Sequence, residues 1–93
     1  MAEEFPERLN ELVGRNVVVD ARSLFVYIGR LAEVDTHFVV LEEADVHDLR
    51  DSSTSREVYV VETKKFGVRA NRKRVFVRRD EIVSISLLDD VID

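Results

Sequence analysis

Beyond Gly14 the apolar residues of this chain come in short, β-branched clusters and never in a long run. Val17-Val18-Val19, Leu24 to Ile28, Phe38 to Leu41, Val58 to Val61 and Val75-Phe76-Val77 are each too short for a buried helix and rich in good strand formers. From Ile82 to Leu88 the pattern has period two, Val83, Ile85 and Leu87 alternating with Ser84 and Ser86, which predicts one buried and one polar face. None of these stretches approaches the roughly 20 apolar residues of a membrane helix. Gly29 closes the second cluster, and a glycine inside a strand permits the bulge or bend that a small barrel needs. Between the third and fourth clusters, His47 to Arg56 is polar and unpatterned and reads as a mobile loop.

Ahead of Gly14 the periodicity is helical. Phe5, Leu9, Leu12 and Val13 form one stripe over 5–13, Pro6 suits a first turn, and Glu3, Glu4 and Glu7 favour the positive end of the helix dipole. Gly14 is placed to take the left-handed conformation that ends the helix. The expected fold class is therefore mostly β: an N-terminal helix, then a strongly bent five-stranded antiparallel sheet over 15–88, a small open barrel, with an acidic tail over 89–93. At 93 residues this is one small domain, burying about 60–65% of its unfolded surface.

The chain has no cysteine, which excludes disulfides, a thiol nucleophile and cysteine-based zinc sites. Nothing at the start resembles a secretory leader, and a cytoplasmic protein is expected. The net charge of −5 argues against nucleic acid, but its distribution argues otherwise. Eight bases (Lys64, Lys65, Arg69, Arg72, Lys73, Arg74, Arg78 and Arg79) fall between 64 and 79 with no acid among them, while the other 77 residues hold all 19 acids and the remaining six bases. Such asymmetry marks either an anion-binding face on an acidic body or a solvated hairpin balancing acidic neighbours.

Two segments carry a resemblance. Gly29-Arg30-Leu31-Ala32-Glu33-Val34-Asp35, with His37 two residues on and Val40-Leu41 following, resembles the first motif of the Sm-like (LSm) family. Val75-Phe76-Val77-Arg78-Arg79-Asp80-Glu81-Ile82-Val83 resembles the second. Together with Leu12-Val13-Gly14 and the alternation at Val17 and Val19, the likeness covers most of 5–88. It implies a homo-oligomeric ring of five to seven subunits, with the fourth strand of one pairing with the fifth of the next, and single-stranded RNA as partner. The edges offered for that pairing are Val58 to Val61, with the extension beyond it, and Ile82 to Leu88. The chain departs from the family where the base-bonding asparagine would be, here Val39, and where a glycine follows the motif arginine, here Arg79. Leu24 stands where the first hairpin usually has glycine, and Glu62 to Arg74 is longer than a typical fourth strand and turn.

The resemblance implies a site in which His37 stacks on a base and Arg78, held by Asp35 or Asp80, supplies a guanidinium, while Lys64, Lys65, Arg69, Arg72, Lys73 and Arg74 meet phosphate. Each has a plainer role open to it: Asp35 fixing a turn through backbone N–H groups, His37 as a half-buried strand residue, Arg78 in a structural ion pair. Phe66 and Phe76 can stack bases, although core packing suits Phe76 and a subunit interface suits Phe66. Val39 cannot bond a base edge, so RNA binding is expected to be weak and unselective, and Val39→Asn to raise preference for uridine. An oligomeric assembly or protein-interaction module without a nucleotide pocket is the alternative, and a barrel of the SH3 kind a third.

Enzymatic readings find little support. The three glycines are scattered and build no phosphate loop. Glu42 and Glu43 are strand neighbours that face opposite ways. Asp45, His47 and Asp48 do not converge well on a metal at their spacing. No enzyme activity, cofactor, metal or membrane association is expected.

Overall fold

A computed structural model of the protein describes residues 8–51 and 53–93. Five antiparallel strands form one sheet: β1 (Asn16–Ala21), β2 (Phe25–Val34), β3 (Phe38–Asp48), β4 (Arg72–Arg78) and β5 (Ile82–Leu87), in the order β4-β3-β2-β1-β5. The mostly β class and the bent antiparallel sheet read from the sequence are what the chain adopts. One helix, α1 (Arg56–Phe66), is inserted between β3 and β4. No helix among the described residues is long and apolar enough to cross a membrane.

Of the N-terminal stripe, Phe5 and Pro6 and the acids Glu3, Glu4 and Glu7 lie outside the described residues. Residues 8–10 are helical, and tighter turns follow, with the Leu12 N–H on the Leu9 carbonyl at 2.9 Å. Gly14 has φ 92°, and its N–H leaves the turn for the Leu31 carbonyl at 2.7 Å, which ends the helix. Leu9 and Leu12 pack against the main core, whereas Val13 is exposed.

The sheet is buried on both faces over β1. Val17 and Val19 join Leu31, Val39, Leu41, Ala44 and Val77 in the main core, while Val18 joins Val26, Ile28, Val60 and Leu88 in a second cluster beneath α1. That explains an unbroken valine run where one-sided burial would alternate. The bend sits where Gly29 predicts it. A Cβ there would stand 2.8 Å from the Ala44 Cα, and the β2–β3 register shifts between Ile28 and Arg30. Opposite, Glu43 takes φ 48°, the extra residue of a bulge.

Three expectations are corrected. Val58 to Val61 is not a strand but part of α1: the Ser55 side chain accepts the Val58 N–H at 3.2 Å, and the Gly67 N–H closes on the Thr63 carbonyl at 2.8 Å. Caps at both ends and burial of Val60 and Thr63, one helical turn apart, outweigh the strand propensity of a four-residue run. The fourth strand, and with it the free edge, is therefore Arg72–Arg78. The polar stretch from His47 is not all loop either, since β3 runs to Asp48 and a 3-10 turn takes Leu49–Asp51. In β5 the inward, half-buried set is Ile82, Ile85 and Leu87, with Val83 67% exposed, because the register with β1 shifts between Asp20 and Ala21 and leaves Val83 as the extra residue.

Candidate nucleic-acid interface

The β2–β3 turn and the β4–β5 turn meet at one end of the sheet. Asp35 builds the first. One carboxylate oxygen accepts the backbone N–H groups of His37 and Phe38, both at 2.7 Å. Those bonds, Phe38 first, hold the Asp35 carboxyl below its usual range. The second turn, Arg79–Glu81, is tied to the first by the Arg79 N–H on the His37 carbonyl at 2.8 Å and by the Arg79 guanidinium on the Thr36 carbonyl at 3.1 Å. Between them opens a cleft lined by Thr36, His37, Phe38, Arg78, Arg79 and Asp80.

His37 is exposed there, so its ring stands free to meet a flat partner. Arg78 pairs with Asp80 at 3.0 Å, both side chains largely in water. Of the two braces open to Arg78, Asp80 is the one it takes, and Asp35 instead fixes its turn through backbone N–H groups. Three of the sequence candidates, His37, Arg78 and Asp80, line the cleft, and Asp35 holds the turn that carries His37. Thr36, Phe38 and Arg79 join them; of these only Arg79 carried a signal, as the last of the eight bases in the cationic run.

Val39 is fully buried, paired across the ladder with Val77 in the main core. An asparagine there would place an amide among aliphatic side chains rather than at the cleft. Val39→Asn is now expected to cost about 1–3 kcal/mol of stability through unsatisfied polar burial, without a gain in uridine preference. A thermal melt of the variant with no fall in midpoint would contradict this.

The rest of the cationic run is spread over two further places. At the end of α1, Lys64 donates to the Val91 carbonyl and Lys65 pairs with Asp93 at 3.5 Å. Arg69 lines a cavity with Asp45, Tyr59, Glu62 and Phe66. Tyr59 donates its hydroxyl to Asp45 and stacks on His47 with centroids 3.7 Å apart; burial, then that carboxylate, pushes the Tyr59 phenol up. Asp48 turns instead to Arg50 at 2.7 Å. Asp45 and His47 thus share Tyr59 while Asp48 is held by Arg50, and among the described residues no three acidic or histidine side chains are grouped to hold a metal. Arg72, Lys73 and Arg74 lie exposed on β4, Arg74 against Glu42 at 2.9 Å. Phe76, expected in the core, is 60% exposed because β4 turns Val75 and Val77 inward instead.

Glu42 is held low by Arg30 and then Arg74, and Asp48 is held down at about 2 by the Arg50 side chain and then its N–H. Depressed carboxylates stabilise the fold fully above the ordinary carboxylate range, and that contribution is lost as pH falls from about 4 through about 2. The thermal midpoint is expected to stay level from about pH 7 to 5 and to drop below about pH 4. A midpoint unchanged down to pH 2 would count against these contacts.

No family model and no curated protein sequence matches the chain. Solved structures do. The Sm protein of Pyrococcus abyssii, determined in complex with a uridine heptamer, superposes with a TM-score of 0.60 at 21% identity, covering 87% of this chain and 93% of that one. An SmAP (LSm) protein from Methanococcus vannielii gives 0.57 at 22% identity, covering 87% and 90%. The fold of this chain is the Sm fold.

Proposed function

We propose that the chain is an Sm-like protein that closes into a homo-oligomeric ring of five to seven subunits and binds single-stranded RNA. Binding is weak, salt-sensitive and poorly selective in sequence. The observation that carries this reading is the bond between the Arg79 N–H and the His37 carbonyl at 2.8 Å. It joins two turns so that an exposed imidazole and the Arg78 guanidinium border one cleft, which is the combination of flat ring and cation that a splayed nucleotide requires. A protein of the same fold, solved with a uridine heptamer, supports the choice of ligand. Low selectivity rests on position 39 lying in the core rather than at the cleft, so the base-edge contact made by the family's asparagine has no counterpart there.

A second reading, an assembly or protein-interaction module, is favoured by Arg78 already having Asp80 as partner. The absorbance ratio of the purified protein at 260 and 280 nm, taken with its solution mass, separates the two. Ring-sized particles that carry nucleic acid support the proposal; nucleic-acid-free particles that bind no added RNA support the module.

A further inference from the structure

Strand β4 carries more on its outer face than the cleft uses. Its alternate residues Arg72, Arg74, Phe76 and Arg78 are all exposed, while Val75 and Val77 between them pack into the main core. Alternate residues of a strand share a face and stand about 6.6 Å apart. The row therefore runs about 20 Å from the cleft, at Arg78, toward the end of α1. Phe76 keeps most of its ring in water and meets Phe38 edge-on, centroids 6.1 Å apart at 87°. The Arg74 side chain is 59% exposed and aimed by Glu42, which Arg30 grips from the other side at 2.8 Å. Beyond Arg72 lie Arg69 and Phe66, the latter 78% exposed.

The geometry points to the outer face of β4 as a track for single-stranded RNA, with about one nucleotide for every two strand residues and Phe76 as a base-stacking platform. This rests on the RNA reading of the cleft and adds to it a path, a register and a residue. Spaced guanidinium groups meet successive phosphates, and a flat exposed ring meets a base without regard to its identity. The step between alternate residues is comparable to the reach of one extended nucleotide. An acidic peptide would satisfy the arginines but leave Phe76 without a role, which is why RNA is preferred. Strand pairing at the edge of β4 would use its backbone donors and acceptors and not the side chains of this face.

Fluorescence anisotropy of the intact protein with a uridine trimer and a uridine decamer tests the track, together with photocrosslinking of a 4-thiouridine decamer. Phe76→Ala is expected to weaken the decamer about tenfold and leave the trimer unchanged, with Phe76→Tyr restoring binding. Arg72→Gln with Arg74→Gln should lower the salt slope for the decamer by about 1.4, two phosphate contacts on a single strand. Crosslinks should fall on the peptide containing Phe76 as well as on that containing His37. Decamer binding unaltered in both variants, with crosslinks confined to the cleft, would overturn the track and leave the cleft reading intact. Loss of all binding in His37→Ala with Arg78→Ala, while Phe76→Ala changes nothing, would likewise overturn the track and keep the cleft. Displacement of the decamer by polyglutamate at equal charge concentration would assign the face to an acidic protein instead.

Discussion

In solution the protein is expected to have a mass of about 54 to 76 kDa, five to seven copies of a 10.8 kDa chain closed head to tail. The sheet leaves two free edges, β4 and β5, each a row of backbone donors and acceptors that invites pairing. They are complementary. Strand β4 presents Arg72, Lys73, Arg74 and Arg78, whereas β5 is bracketed by Asp80, Glu81, Asp89 and Asp90. An edge with its own partner on a second copy of the same chain gives a heterologous contact, which closes by rotation. Val83, extruded by the bulge and exposed on β5, is the place to interfere without touching the core. Val83→Lys sets a cation against a cationic strand and is expected to shift assembly toward monomer, raising the concentration for half-assembly at least about tenfold. Light scattering across a dilution series reads both results. A particle near 11 kDa at micromolar concentration in the unmodified protein would remove the ring from the account.

The second large effect falls on RNA. His37→Ala with Arg78→Ala is expected to weaken binding of a uridine decamer about thirtyfold or more, since one lost stacking partner alone costs about 1–3 kcal/mol and a phosphate contact goes with it. The fold should not suffer. Both side chains are exposed, and an exposed pair such as Arg78 with Asp80 contributes about 0–1 kcal/mol. The turn itself is held by Asp35 and by backbone, which the double variant leaves in place. Anisotropy titrations beside thermal melts distinguish the outcomes: weakened binding with an unchanged midpoint is expected, and full binding by the double variant would take the cleft out of the function.

Much of this is legible in the residues because local chemistry and tertiary structure agree. Gly14 and Gly29 mark a left-handed helix stop and a close approach to Ala44, positions where a Cβ is disfavoured by conformation or excluded by contact. The valines of β1 and the clusters of β2 and β3 are strand formers that the sheet buries. Where sequence and structure part, one cause recurs: tertiary context reassigns a short apolar run. Val58 to Val61 has the composition of a strand, yet Ser55 and Gly67 cap it as a helix and the second cluster beneath it takes Val60. Those two caps are the sequence signal for the helix. Nothing in the sequence marks the extra residue in β5 that exposes Val83, nor that β4 turns Phe76 outward, because register is a property of the pair and not of one strand. At the cleft, His37, Arg78 and Asp80 can be named from the motif resemblance. The split of the cations between the end of α1 and β4 cannot, because it depends on a helix whose residues have the composition of a strand.

A salt titration of the unmodified protein against uridine and adenine decamers tests the central claim most directly. Phosphate contacts release counterions, so the logarithm of affinity should fall linearly with the logarithm of salt concentration, by about 0.7 for each phosphate met. The two oligomers should lie close together on that line, because position 39 is buried in the core and supplies no base-edge contact at the cleft to separate them. Absence of binding at low salt would contradict an RNA-binding function, and tight binding with a strong preference for uridine would contradict the low selectivity inferred from a cleft that position 39 does not reach.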